Sequence, residues 1–339
     1  KNTIPAIGVH NYFNTEDWAD PSLQSYSGID HKAPVGLFLG IPYRIPEFFY
    51  QHNITIGAFV CEFDRIPEHW VYICNRLDLV LVPSKFCRDA FANSGVKSPL
   101  LVVPHGLEPA YRPYSKKKRG DKLVFYNTFY STSLNHRKSL EELVCGFLRA
   151  FEGRSDVVLR LRTDHSPALM NCQKSYDFGG LIDHDLLTAT TSTENYARIF
   201  SEVHCTVHPS KSEGFGLVPF QSIACETPVI APYSTGMADY LNESNSLQLR
   251  TGKPIPGSEP DSVGNYFSVD EDHLVEQLRY MAANWEDEYC KVKGIAERFR
   301  ISNSWPNALS DLVRLVEGLV RCNGAEEAQR QYLSNFMGD

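Results

Sequence analysis

Residues 208–231 read His-Pro-Ser-Lys-Ser-Glu-Gly-Phe-Gly-Leu-Val-Pro-Phe-Gln-Ser-Ile-Ala-Cys-Glu-Thr-Pro-Val-Ile-Ala. The apolar run 204–208 stops at Pro209 and Ser210, both turn formers, which predicts a strand end. Gly214 and Gly216 flank Phe215, and glycine lets a backbone approach a ligand closely. From Leu217 the apolar residues Leu217, Phe220, Ile223 and Ala224 recur at helical spacing, and 228–231 reads as a further strand. A helix that opens just after a glycine loop directs free N–H groups and a positive dipole end at whatever lies there. Anionic or hydroxyl-rich ligands suit that place, with Glu213 at its mouth as an acceptor.

Working outward, short apolar runs alternate with helical patterns. Strands are predicted at 35–39, 55–60, 78–82, 100–103, 123–127, 157–161, 204–208 and 228–231. Helices are predicted at 68–76, 84–94, 139–152, 193–202, 217–226, 270–284, 286–301 and 306–322. Ser139 with Glu142 reads as a capping box. Alternation of this kind predicts α/β layers built on parallel sheets. The stretch 104–122 holds Pro104, Gly106, Pro109 and Pro113, then Ser-Lys-Lys-Lys-Arg-Gly-Asp-Lys, and reads as an exposed linker.

The 339 residues suffice for two domains, and 42% hydrophobic content suffices for their cores. A net charge of −8 argues against a surface built wholly for nucleic acid. No run approaches the roughly 18 apolar residues of a membrane span. Nine cysteines, an odd number without Cys-x-x-Cys spacing, predict buried thiols in a reducing, cytoplasmic setting.

The Pro-Ser, Glu-Gly-Phe-Gly-Leu and Thr-Pro-Val-Ile pieces of 209–230 closely resemble the donor signature of the retaining GT-B glycosyltransferases of family 4. The resemblance extends at motif level from about residue 55 to 245. It implies two Rossmann-like domains facing across a cleft, with a C-terminal helix crossing back to the first. The boundaries expected are 1–105 for a short acceptor domain, 106–122 for the linker, 123–303 for the donor domain and 304–339 for the returning helices. The first domain is shorter than in the family, either reduced or cut at its start.

The implied reaction moves a sugar from a nucleoside diphosphate to an acceptor hydroxyl with retention, a UDP-sugar being favoured over a GDP-sugar. Glu213 and the amides of Gly214, Phe215, Gly216 and Leu217 would hold the sugar, and Lys138 and Arg137 the diphosphate. The family's second Glu is Gln221 here, which both donates and accepts and would take the ribose. The family's Arg upstream of Lys138 is absent, positions 132 and 133 being Thr and Ser. Gly180, Leu181 and Ile182 match the base-contact segment in position, and Glu62 matches the strand end that often carries a His. The family needs no metal. Asp183-His184-Asp185 is also an Asp-x-Asp triplet of the kind that holds a metal in other transferases, but it reads equally as an acidic turn opening a helix.

Two alternatives remain at this level. The Gln221 replacement and the missing Arg suit a degenerate, non-catalytic partner subunit. Lys116–Arg119 suits phosphate contacts to DNA carrying hydroxylated bases as the acceptor, though a solvated linker explains the run more simply.

Overall fold

The computed structural model describes residues 7–11, 33–129, 136–163, 174–186, 192–257, 263–322 and 324–338. The chain forms two compact units. Unit 1 gathers Lys1–Pro104, Pro260–Gly264 and Ala308–Asp339, and unit 2 gathers His105–Glu259 and Asn265–Asn307.

Unit 1 is a five-stranded parallel sheet in consecutive order: β1 (Ile7–Asn11), β2 (Val35–Leu39), β3 (Ile54–Ala58), β4 (Leu79–Val82) and β5 (Leu100–Val102). Helix α1 (Glu68–Cys74) links β3 to β4, and α2 (Lys85–Ser94) links β4 to β5. Ser84 caps α2 by accepting from the Cys87 amide at 3.2 Å, and Gly95 closes it at φ 105°. Right-handed crossovers that always step the same way across a sheet put their helices on one face. That face carries Phe38, Phe49, Phe59 and Phe91 in ring contact. Gly36 and Gly57 are required there, because a Cβ at either would collide with the His52 or Phe59 ring.

Unit 2 holds a six-stranded parallel sheet ordered β11-β10-β9-β6-β7-β8. The strands are β6 (Leu123–Phe129), β7 (Val157–Thr163), β8 (Ile182–Leu186), β9 (Cys205–Val207), β10 (Val229–Pro232) and β11 (Leu247–Leu249). Connecting helices are α3 (Leu140–Phe151), α4 (Thr193–Glu202) and α5 (Leu217–Ala224). An antiparallel pair, β12 (Thr251–Pro256) and β13 (Asn265–Val269), precedes α6 (Glu271–Ala283) and α7 (Trp285–Ser302). Leu123, Phe125, Leu159 and Leu161 pack with Phe147 and Phe151 on one side of the sheet. Tyr126 packs with Phe200 and Phe220 on the other. Strand order runs outward both ways from β6, as in the Rossmann arrangement, so a switch point lies between β6 and β9.

The chain then returns to unit 1 through α8 (Ser310–Arg321) and α9 (Glu326–Gly338). Leu315, Leu319 and Leu333 cover Val35, Ile54, Ile56, Leu79 and Leu81, the face of the first sheet that the crossover helices leave bare. The expected returning helix is therefore present, as two helices following a short turn at Trp305–Ala308.

Three expectations are corrected. Ser139 does not form a capping box: it sits at φ 56°, its side chain makes no cap bond, and Glu142 pairs instead with Lys211 at 2.5 Å. Asp183–Asp185 opens no helix but lies within β8, paired in register with Arg160 to Arg162 of β7. The 104–122 stretch is an exposed linker only in part: 115, 116 and 118–122 are exposed, but other residues of it dock. Leu107 and Tyr111 are buried in the core of unit 2, and Lys117 turns inward to donate to the carbonyls of Phe200 and Val203 at the end of α4. Arg119 pairs with Glu286. No described helix is long and apolar enough to cross a membrane, and Cys61, Cys74, Cys145, Cys205, Cys225, Cys290 and Cys322 are free thiols.

Candidate active site

In open α/β sheets, ligands bind beyond the carboxyl ends of the strands at the switch point. In unit 2 two segments leave that place: the one after β6, carrying Arg137 and Lys138, and the one after β9, carrying 208–216. They are joined through Glu213. Lys138 Nζ lies 2.5 Å and His208 Nε2 3.0 Å from Glu213 Oε1, and Arg137 Nη1 lies 3.2 Å from Oε2. Only 7% of Glu213 is exposed. Burial alone would raise its pKa. The Lys138 ammonium and the Arg137 guanidinium, helped by His208, override burial and hold the carboxyl well below its usual range. His208 is buried too, and burial pulls its imidazole down against the opposing pull of Glu213.

The two cations differ in what they do. Arg137 Nη1 also donates to the Ser212 carbonyl at 2.6 Å, and the Arg137 carbonyl accepts from the Lys211 amide at 2.8 Å. Arg137 thus staples the two segments together. The Lys138 side chain is 15% exposed against 6% for Arg137, so Lys138 is the cation more open to a ligand.

The glycine loop is braced from behind by the segment after β10. Thr235 Oγ1 accepts from the Glu213 amide at 3.1 Å, and the Gly236 amide donates to the Glu213 carbonyl at 2.8 Å. Thr235 holds φ 55°, unusual for a β-branched residue. A Cβ on Gly236 would collide with the Gly214 carbonyl oxygen. Gly216, at φ 90°, is the residue before α5, and a Cβ there would sit 2.5 Å from Met237. Tyr240 donates to the Gly216 carbonyl. Phe215 points inward, its ring 5.0 Å from His105, 4.9 Å from Phe220 and 5.3 Å from Tyr240. Its side chain is core, which leaves only its backbone for a ligand. Leu217, 43% exposed, opens α5, whose first-turn amides have no helical partner. Gln221 follows one turn later on the same side, beside the Tyr111 hydroxyl.

Not every expected residue joins this site. Gly180, Leu181 and Ile182 enter β8 at its amino end, since Ile182 pairs with Leu159 and Leu186 with Thr163. They therefore stand at the edge of the sheet opposite to Glu213. The segment leaving the carboxyl end of β8, 187–191, lies outside the described residues. Glu62 belongs to unit 1, where it follows the carboxyl end of β3. Positions 132 and 133 lie outside the described residues. Sequence reasoning missed His208, Thr235 and Gly236. A His ending a strand five residues before the Glu was the only signal for the first, and the other two had none. Among the described residues no group of three or more His, Cys, Asp or Glu stands together as a metal cluster.

The model of family 4 glycosyltransferases in conflict systems matches residues 185–312, which include Glu213 and the loop. A D-inositol 3-phosphate glycosyltransferase of Paenarthrobacter aurescens is 26% identical over 167 residues, 47% of this chain and 40% of that protein. Over residues 185–312 the chain is similar to the family 4 glycosyltransferases. Among solved structures, TarM superimposes with a TM-score of 0.64 at 12% identity, covering 83% of this chain and 54% of its own. Sucrose-phosphate synthase of Thermosynechococcus elongatus gives 0.63 at 16%, with 85% and 74% covered. Anabaena HepE, solved with UDP and glucose, gives 0.62 at 13%, with 87% and 80% covered. These likenesses establish the shared GT-B architecture of two Rossmann-like units. The chain spans less than half the length of the curated protein it matches.

Proposed function

We propose that this chain is a retaining glycosyltransferase that moves a sugar from a nucleoside diphosphate to an acceptor hydroxyl. The observation that carries the reading is the Lys138–Glu213–Arg137 cluster at the switch point of unit 2, beside the glycine loop and the start of α5. Unit 2 is then the donor unit and unit 1 the acceptor unit. Lys138 meets the diphosphate and stabilises the charge that develops as it leaves, which a preorganised cation does without reorganisation. Arg137 contributes charge and holds the loop. Glu213 and the backbone of 214–217 meet the sugar hydroxyls. Gln221 meets the ribose. Glu62, from unit 1, orients the acceptor. Gly180, Leu181 and Ile182, at the amino end of β8, stand away from this cluster. HepE, whose crystals hold UDP and glucose, supports a UDP-sugar as the first donor to try. The free thiols support a reducing, cytoplasmic setting. The docked Lys117 and Arg119 weaken the case for a DNA acceptor.

A panel of UDP-, GDP- and ADP-sugars tests this, read by thermal shift and by slow nucleotide release without acceptor. One donor that both stabilises the protein and is slowly hydrolysed supports the reading. Binding without any release, with every acceptor class, favours a non-catalytic subunit. No binding at millimolar concentration removes the proposal.

A further inference from the structure

His208 has no part in the function proposed above, yet it is buried and bonded to the central carboxylate of the site. An ionised carboxylate only accepts, so Nε2 carries the hydrogen and Nδ1 is the basic nitrogen. Among the described residues, the charged groups acting on His208 are Glu213, Lys138 and Arg137. Lys211, in the same loop, is neutralised by Glu142 at 2.5 Å, and the neighbouring strand β10 (Val-Ile-Ala-Pro) brings no charge. Burial keeps the imidazole neutral against the pull of Glu213, and the Lys138 and Arg137 charges add to the effect of burial.

An incoming diphosphate alters that balance. It brings two or more negative charges to Lys138, the more open cation, whose single charge is then shared between phosphate and Glu213 Oε1. A buried carboxylate that loses a cationic partner is costly. We propose that His208 is the positioning residue that takes over Glu213 when a diphosphate engages Lys138, by accepting a proton from solvent on Nδ1 and holding Oε1 as an imidazolium. Donor binding is then coupled to net proton uptake, and Glu213 stays in place to meet the sugar. The inference rests on the donor reading of this site.

The experiment is calorimetric titration of the chain with UDP at pH 7 in buffers of different ionisation enthalpy, for the wild type, His208→Gln and His208→Asn. The wild type is expected to take up about half a proton or more beyond either variant. A second measurement needs no variant. Between pH 7 and 8.5 wild-type affinity for UDP falls by about threefold or more. The terminal phosphate gains charge over that range, so the ligand itself would produce the opposite trend. Equal proton counts in wild type and folded variants, or an affinity flat or rising with pH, overturn the role of His208 and leave the donor reading standing. Absence of UDP binding in the wild type at millimolar concentration overturns both.

Discussion

Lys138 and His208 share one acceptor: Nζ of the first and Nε2 of the second both reach Glu213 Oε1, at 2.5 and 3.0 Å. Glu213→Gln leaves Lys138 and Arg137 buried without their counter-charge. It should lower stability by about 3–5 kcal/mol, the usual cost of breaking a buried pair. Because the folded carboxyl lies below its ordinary value of 4.5, its contribution is complete above that pH and is lost as the pH falls through the folded value. Urea melts of wild type and variant should therefore converge on acidification from pH 5 to pH 3. A gap that stays constant would contradict the ionised cluster.

Lys138→Ala should reduce donor turnover by about a hundredfold or more, the scale seen when one transition-state charge contact is removed. Both Lys138→Ala and Arg137→Ala take a cationic partner from buried Glu213 and should cost stability, Arg137→Ala more, since Arg137 also bonds the Ser212 carbonyl. Equal melting temperatures for the two variants would dissolve the distinction between them.

Gly236→Ala forces a Cβ into the Gly214 oxygen, a backbone atom that cannot rotate away. It should destabilise by about 1–3 kcal/mol and weaken nucleotide binding. Gly294→Ala, in α7 with open space around it, is the matched control. It should stabilise by about 0.5–1 kcal/mol. Melting and UDP affinity measured on both variants decide the matter.

Lys117 is pulled down by burial to about 7, from 10.5. The unfolded chain therefore binds more protons than the folded one between these values, and stability rises with pH across that window. Lys117→Met removes the titration. Relative to that variant, the wild type should gain stability from pH 7 to pH 9. A relative loss would show that the Phe200 and Val203 carbonyls keep the ammonium charged.

Gly180→Ala places alanine at φ 75° in open space. It should cost about 1 kcal/mol of stability and leave nucleotide affinity unchanged. A clear loss of UDP binding would return Gly180 to the site.

The glycine loop was legible because its requirements are local. Gly214-Phe215-Gly216 before an apolar helix announces a strand, turn and helix, and the structure has them. Most strands are found within one or two residues of their expected places. What escaped the sequence depends on partners distant in the chain. Ser139 sits at φ 56° and makes no cap bond, and Glu142 pairs with Lys211 rather than with the helix start. Lys117 reads as surface charge until α4 presents carbonyls to it. Thr235 looks like an ordinary turn residue until Glu213 is laid against it. Gly180–Ile182 were misplaced for a different reason: residue type locates a strand, but only pairing with β7 shows which end faces the site.

The consecutive strand order of unit 1 has a consequence for how the protein is made. Its strands leave the ribosome before unit 2, yet the helices that cover their second face lie beyond residue 308 and emerge only after all of unit 2. Val35, Ile54 and Leu79 stay uncovered on that face until then, and chains released before α8 would expose a flat apolar sheet to their neighbours. Unit 2, whose segments run from 105 to 307 with little interruption, has no such wait. The unit begun earlier is therefore the one completed later, and nonsense or frameshift changes ahead of α8 or within it should appear as aggregation of the whole chain rather than as loss of a dispensable tail.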